Sequence, residues 1–542
     1  MRIKLITRTL LAMLAGLALN ACTSSHEGAA GGHSGMNMGA EGPDAFQKPI
    51  DYIPAALGPH TWTITTSSTT AQQYFNQGLQ LRYAYGVDDA ARSFRQAHLA
   101  DPSCAMCYWG EALALGSFLN GGMSAEKAPY AHAAIEQAVA LIDNTTPMER
   151  DLILAARERY PADYVPANRR PVDEGFAERM ATVYAKYPQH SDVAVIYAIS
   201  LFMLEQRLGT RDVNDPDLIR LHGVLTGVLA VDDHHPGACH LYIHATESSQ
   251  RPDLALGCAE LLSDAIPIAS HIQHMPSHTW NEVGYWNKSV RANTRASFSD
   301  QMAAKNQGFS YGPSHNLHML LFAASMDGQG AVATQAGKDY TKLTGNSMYQ
   351  VLTLLRFGRF DEIPLITNRP KGEVEGGYWD FAQGYAALRN GDPQLAQNYL
   401  AKVEKLASQS TAKFRFHSAS QLMGLSAALL QGEILRAQGD MAGAIAAFQR
   451  AATLDDQQPY DEPEPIPYAA RHWLGAAQLQ AQQYAAAEQT YRLELQDHPH
   501  NVWSLRGLKT ALDAQAKVDE AVNADLADSS ARLDLWITES RF

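Results

Sequence analysis

From about residue 69 onward, apolar residues recur at intervals of three and four in Ala-rich segments, separated by short breaks of Gly, Asp and Pro. That spacing places apolar side chains on one face of a helix, and the Val/Ile/Thr alternation of half-buried strands is scarce. The pattern predicts an all-α chain. Residues 22–49 hold almost no large aliphatic side chains and much Gly, Ser, Ala and His, which predicts a flexible tether. Before them, Arg2, Lys4 and Arg8 precede the apolar stretch 10–19 and the small residues ahead of Cys22, the order of an export signal over residues 1–21.

The helical region repeats itself. Gly78, Ala90, Phe94 and Pro102 recur at identical offsets as Gly475, Ala487, Tyr491 and Pro499. Ala97 extends the first set, Gly432, Ala444, Phe448 and Ala451 share its spacing, and Gly384, Ala396 and Leu400 fit the same frame. This pattern resembles the tetratricopeptide repeat (TPR) family, whose unit of about 34 residues has small side chains at slots 8, 20 and 27 and Pro at slot 32. The resemblance implies an α-solenoid, a right-handed superhelix of helix–turn–helix units. Small residues would let helices approach, the aromatic at slot 24 would fill the seam to the next hairpin, and Pro would start the following helix. Residues 50–345 then form an N-terminal TPR-like solenoid and 346–542 a run of more regular repeats. The stretch between Thr146 and Ala230 fits the frame poorly. The resemblance implies an architecture, not a chemistry.

Leu19-Asn20-Ala21-Cys22 resembles a bacterial lipobox. It implies lipidation at Cys22 and, because residue 23 is not Asp, an outer membrane location, with the domain facing the periplasm or the cell surface. An ordinary cleaved signal peptide is the alternative. No later apolar run approaches the ~20 residues of a membrane span, so the lipid would be the only anchor. Four cysteines remain. In an oxidising compartment Cys104 and Cys107 read as a local disulfide, with a redox pair or half a zinc site as alternatives. Cys239 and Cys258 fall on the two helices of one repeat and read as a staple across it, with two buried thiols as the alternative.

The candidate chemistry lies in the histidines. Nine of the 20 lie between His234 and His318. With Gln250, Gly284 and Gly328 set as slot 15, the turn between paired helices, three successive first helices carry the enrichment. His240, His244 and Glu247 share one face, His271, His274, His278 and Asn281 the next, and His315 and His318 the third. In TPR proteins these slots resemble those that line the concave groove. Convergent imidazoles and a carboxylate suit a transition metal, zinc or copper, with Asn281 as an orienting neighbour, and more than four histidines allow two ions. Pro276 lies inside the second helix and predicts a kink. His33, Met36 and Met38 in the tether lean toward copper. Other readings are a histidine-lined groove for a peptide or an envelope protein partner, and a metal-dependent hydrolase or oxidase. No His-Glu-x-x-His order demands catalysis.

Charge narrows the partners. Lys and Arg number 43 against 57 Asp and Glu, a net charge of −14 with no basic block, which excludes nucleic acid and anionic lipid as general partners. Asp461-Glu462-Pro463-Glu464 reads as an exposed acidic loop that serves solubility. Arg471, His472 and Gln478 read as exposed on a C-terminal interaction or capping segment.

Overall fold

The structure, a computed structural model, describes residues 44–205 and 210–542. These hold twenty-four α-helices and one two-residue hairpin, Lys413–Phe414 against His417–Ser418. Consecutive helices pair as hairpins, each stacked on its neighbour, and the result is an α-solenoid. Cys22 and the tether residues His33, Met36 and Met38 lie outside the described residues. No described helix is long and apolar enough to cross a membrane.

The repeating small and aromatic residues make the seams. Phe94, on helix Val87–Ala100, lies between Gly78 on helix Thr69–Tyr83 and Gly110 on helix Ala105–Leu115. A Cβ on Gly78 would stand 2.9 Å from the ring, and one on Gly110 2.3 Å. Tyr491 sits in the same way between Gly475 and Gly507, where a Cβ would approach to 2.4 and 2.1 Å. Only glycine lets three helices close on one aromatic ring at these distances. Most of the hairpin turns share a further feature. Slot 15 of the frame falls on Tyr85, Gln250, Gly284, Gly328, Gly391, Gly439 and Gln482, and all of these except Gln250 have positive φ.

The structure corrects three expectations here. Pro102 and Pro499 do not start a helix. Each stands in the turn three residues ahead of one, and the helices Ala105–Leu115 and Val502–Ala514 are capped by Cys104 and Asn501. The last residues of the expected tether are packed, because Phe46 is 1% exposed and meets Tyr130 edge-on at 5.1 Å. His472 and Gln478 are buried rather than exposed: His472 lies between Arg356 and Asn501, both 3.2 Å away.

The solenoid winds tightly enough to meet itself. Trp286 donates through Nε1 to the Pro499 carbonyl at 2.8 Å, Trp503 donates to that of Ser325 at 2.7 Å, and Arg532 pairs with Asp327 at 3.0 Å. These contacts bring the last repeats onto helices Trp286–Ala303 and Pro313–Asp327, beside the histidines. The apolar interior forms two large clusters, one spanning Phe46 to Phe309 and the other Trp286 to Ile537. Tyr340 and Met348 both belong to the second, so residue 345 marks no break in the core.

Cys104 is bonded to Cys107 and Cys239 to Cys258. The second bond joins helix Pro236–Thr246 to helix Leu256–Ala265 beside His240. A loop of that length constrains the unfolded chain by about 3 kcal/mol.

Candidate metal centre

Three helices deliver the histidines. Pro236–Thr246 carries His240 and His244, with Glu247 as its C-cap, and Pro313–Asp327 carries His315 and His318. Between them the second helix is broken at Pro276 into Ser270–His274 and Pro276–Glu282, as a proline without a donor requires. Across the break the ring of His274 lies 5.5 Å from that of His271 and 4.6 Å from that of His278.

Six of these histidines form two sets. The ligand atoms of His240, His244 and His271 lie within 4.8 Å of one another, and so do those of His274, His278 and His315. A third group, His244, Glu247, His278 and Glu462, joins the two. Every member is buried. The open, histidine-lined groove expected from the sequence is therefore an enclosed strip.

The hydrogen bonds decide which nitrogens face inward. His240 donates through Nδ1 to the Tyr83 carbonyl at 2.5 Å, which leaves its Nε2 lone pair 3.1 Å from Nε2 of His271. His274 donates through Nδ1 to Asn293 Oδ1 at 3.0 Å, and the Asn293 amide is itself oriented by donation from Nδ2 to the Ser289 carbonyl. The Nε2 of His274 then lies 2.8 Å from Nε2 of His278. Two nitrogens bound to one ion at 2.0–2.1 Å are about 2.9 Å apart at a right angle and about 3.3 Å apart in a tetrahedron. Both pairs approach the spacing of neighbouring ligands on a single ion.

Glu247 links the sets. Its Oε1 accepts from His244 Nδ1 at 2.9 Å and its Oε2 from His278 Nδ1 at 2.6 Å. A carboxylate behind an imidazole fixes the tautomer and raises the basicity of the other nitrogen. Burial, reinforced by neighbouring imidazoles, holds His240, His271 and His274 well below the usual histidine range, so they are neutral at neutral pH. For His278 burial also opposes the charge, but Glu247 and Glu462 outweigh it and push the group up to about 10.

Tyr85 covers the first set. Its ring lies 4.2 Å from that of His240 and stacks on His271 at 5.2 Å and on His244 at 5.9 Å. It holds this place at φ 58, the turn position where four of the other six aligned hairpins have glycine. A bulky side chain there costs about 1–3 kcal/mol. The site, not the turn, accounts for its presence.

Three expected residues are placed differently. His318 belongs to neither set: it stacks on Tyr349 at 4.2 Å, and its Nδ1 lies 3.2 Å from the tyrosine hydroxyl. One helical step of three residues turns it away from His315 toward the next hairpin. Asn281 does not orient an imidazole; its Nδ2 donates to Met319 Sδ at 3.7 Å, and Asn293 performs the orienting role instead. The acidic loop is not an exposed solubility element. Asp461 and Glu462 are buried, Asp461 pairs with Arg415 and with His417, and Glu462 reaches His278 Nδ1 at 3.0 Å.

The sequence reading missed Glu462, Asn293, Tyr83 and Tyr85. Asn293 alone carried a readable signal. It occupies slot 24, where the regular repeats place Phe94, Phe448 and Tyr491.

Fold and site together define an α-solenoid of helical hairpins, with seams like those expected of tetratricopeptide repeats, that holds a buried histidine cluster. No family model and no curated protein matches the chain. Among solved structures it is similar to the human IFIT1 dimer with m7Gppp-AAAA, at 9% identity and a TM-score of 0.30 over 90% of this chain and 98% of that one. It is similar also to the P58(IPK) TPR domain, at 12% identity and a TM-score of 0.21 over 82% of this chain and 98% of that one. A third is the APC/C hetero-tetramer Cut9-Hcn1, at 14% identity and a TM-score of 0.28 over 86% and 88%. At these scores none adds to the argument, and the assignment rests on the hairpin seams described above.

Proposed function

We propose that the chain binds transition-metal ions, copper or zinc, one in each three-histidine set. The observation that carries this reading is the direction of the rings. In His240 and His274 the Nδ1 proton is tied back to a protein oxygen, and the Nε2 atom faces a second histidine nitrogen across 2.8–3.1 Å. Without an ion each pair shares one proton as an N–H···N hydrogen bond, and a cation that displaced that proton would be held by both nitrogens. Imidazole nitrogen suits copper and zinc, and the carboxylates Glu247 and Glu462 offset the charge of the ions. The two disulfides are consistent with function in the cell envelope, reached through the export signal and a lipid on Cys22. Partners of the scaffold would use its outer faces, since the histidine strip is closed to a peptide.

The experiment is elemental analysis of protein purified without an affinity tag, followed by X-ray absorption spectroscopy of the bound ion. About two equivalents of copper or zinc with a nitrogen and oxygen shell are expected. Protein that carries no metal and takes up neither ion on titration would refute the reading.

A further inference from the structure

The two histidine sets are equal in number but unlike in the charge around them. Glu247 serves both, with Oε1 on His244 and Oε2 on His278. The second set has a further carboxylate, because Glu462 Oε2 lies 3.0 Å from His278 Nδ1. Arg415 holds the loop that carries Glu462 by donating to the carbonyls of Glu462 and Pro463. Its own charge is matched by Asp461, so it does not cancel Glu462. His278, Glu247 and Glu462 also line a cavity of about 570 Å³, where water can take an open coordination position.

The charges that stand behind the first set have the opposite sign. Arg211, buried, donates through Nη1 to the His244 carbonyl at 2.8 Å. Arg82, also buried, donates to the carbonyls of Leu113 and Ser117, and its guanidinium carbon lies 6.0 Å from the centre of the Phe118 ring. Phe118 packs edge-on at 5.1 Å against Tyr85, the ring that covers all three histidines of the set. Tyr311 closes the side of His271 at 4.8 Å. None of His240, His244 and His271 lines the 570 Å³ cavity.

The cost of burying an ion rises steeply with its charge, and opposite charge or added ligands must offset it. A dication is therefore favoured where two carboxylates and a fourth position are at hand, as beside His278. Copper(I) carries a single charge, is well held by imidazole, and gains from the face of an aromatic ring, as under Tyr85. We infer that the two sets hold different ions, copper(I) among His240, His244 and His271 and zinc(II) among His274, His278 and His315. This rests on the metal reading above and names the ion that each set selects.

The test offers the metal-free full chain copper(I), kept reduced with ascorbate, together with zinc(II), both in excess. Diffraction data on both sides of the copper and zinc absorption edges then locate each metal. Copper is expected in the first set and zinc in the second, each at least tenfold over the other metal. Glu462→Gln should weaken zinc at least tenfold more than copper(I), measured by competition with chelators of known affinity. The edge measurement uses the unaltered chain and decides the matter even if this variant fails to fold. One metal in both sets, an even mixture in each, the reverse placement, or a folded Glu462→Gln variant that loses both metals equally would each overturn the inference and leave the metal reading in place. A strip that holds neither metal would overturn both.

Discussion

Two regions of this molecule bring histidines and a carboxylate within reach of one ion, and they differ in where the ring protons go. In the strip built on helices Pro236–Thr246 and Ser270–His274, His240 and His274 donate through Nδ1 to Tyr83 and Asn293, so each offers an Nε2 lone pair. The other region is His60, Asp192 and His235. There His235 caps its helix by accepting through Nδ1 from the Ala238 amide at 3.3 Å, which leaves the proton of the neutral ring on Nε2, 3.5 Å from Asp192 Oδ1. The same carboxylate oxygen accepts from Tyr83 at 2.7 Å and lies 2.9 Å from His60 Nε2. Both regions direct donors onto a carboxylate, Glu247 or Asp192, but only the strip also leaves imidazole lone pairs, on Nε2 of His240 and His274, facing other histidine nitrogens. Proximity alone does not distinguish an ion site from a hydrogen-bonded cluster, whereas the partner of the second ring nitrogen does.

The largest expected effect follows from removing a ligand. His274→Ala should lower metal affinity about 100-fold or more and reduce the stoichiometry by one, while His235→Ala leaves the metal content unchanged; competition with a chelator of known affinity measures both. If the two variants lost metal equally, the distinction between the regions would be wrong. Asn293→Leu comes next. It keeps all six imidazoles but frees the His274 ring, and affinity should fall about 10- to 100-fold with stoichiometry retained. An unchanged affinity would mean that the amide does not orient the ring.

The smallest effect lies in the second region and concerns stability. Burial raises the proton affinity of Asp192, but hydrogen bonds from His235 and His60 outweigh it and hold the carboxyl below the usual range. Because the folded-state value is depressed, its stabilisation is complete above the unfolded value, about 3.9, and is lost as pH falls through the folded one. Asp192→Asn should lower stability at neutral pH by about 1–3 kcal/mol and flatten the decline below pH ~4, with metal content intact. Thermal melts between pH 7 and 2 measure this; an acid limb identical to that of the parent protein would show that Asp192 makes no such contribution.

Much of the scaffold was legible because its repeats obey packing rules that one sequence displays. Gly78 and Phe94 had to recur with their spacing for neighbouring helices to close on a ring, and the frame, carried to the turns at Gln250, Gly284 and Gly328, placed the six clustered histidines on the correct helices. What the frame could not supply was contact across the superhelix. Glu462 is far along the chain from His278, and only the winding that seats Trp286 on Pro499 brings its loop inward. An acidic run reads the same whether it faces water or a buried imidazolium. His318 misled for a related reason: three residues from His315 is close enough to share a helical face, yet Tyr349 on the next hairpin supplied a better partner. Tyr85 showed nothing in the sequence beyond standing where most aligned turns place glycine.

The most direct measurement is a crystal of the chain grown with copper or zinc and recorded on both sides of the metal absorption edge. The account predicts two anomalous peaks inside the buried strip, one bounded by His240, His244 and His271 and the other by His274, His278 and His315, with none at His60, Asp192 and His235. A strip without peaks in crystals that hold the metal elsewhere, or a peak at Asp192 in its place, would contradict it.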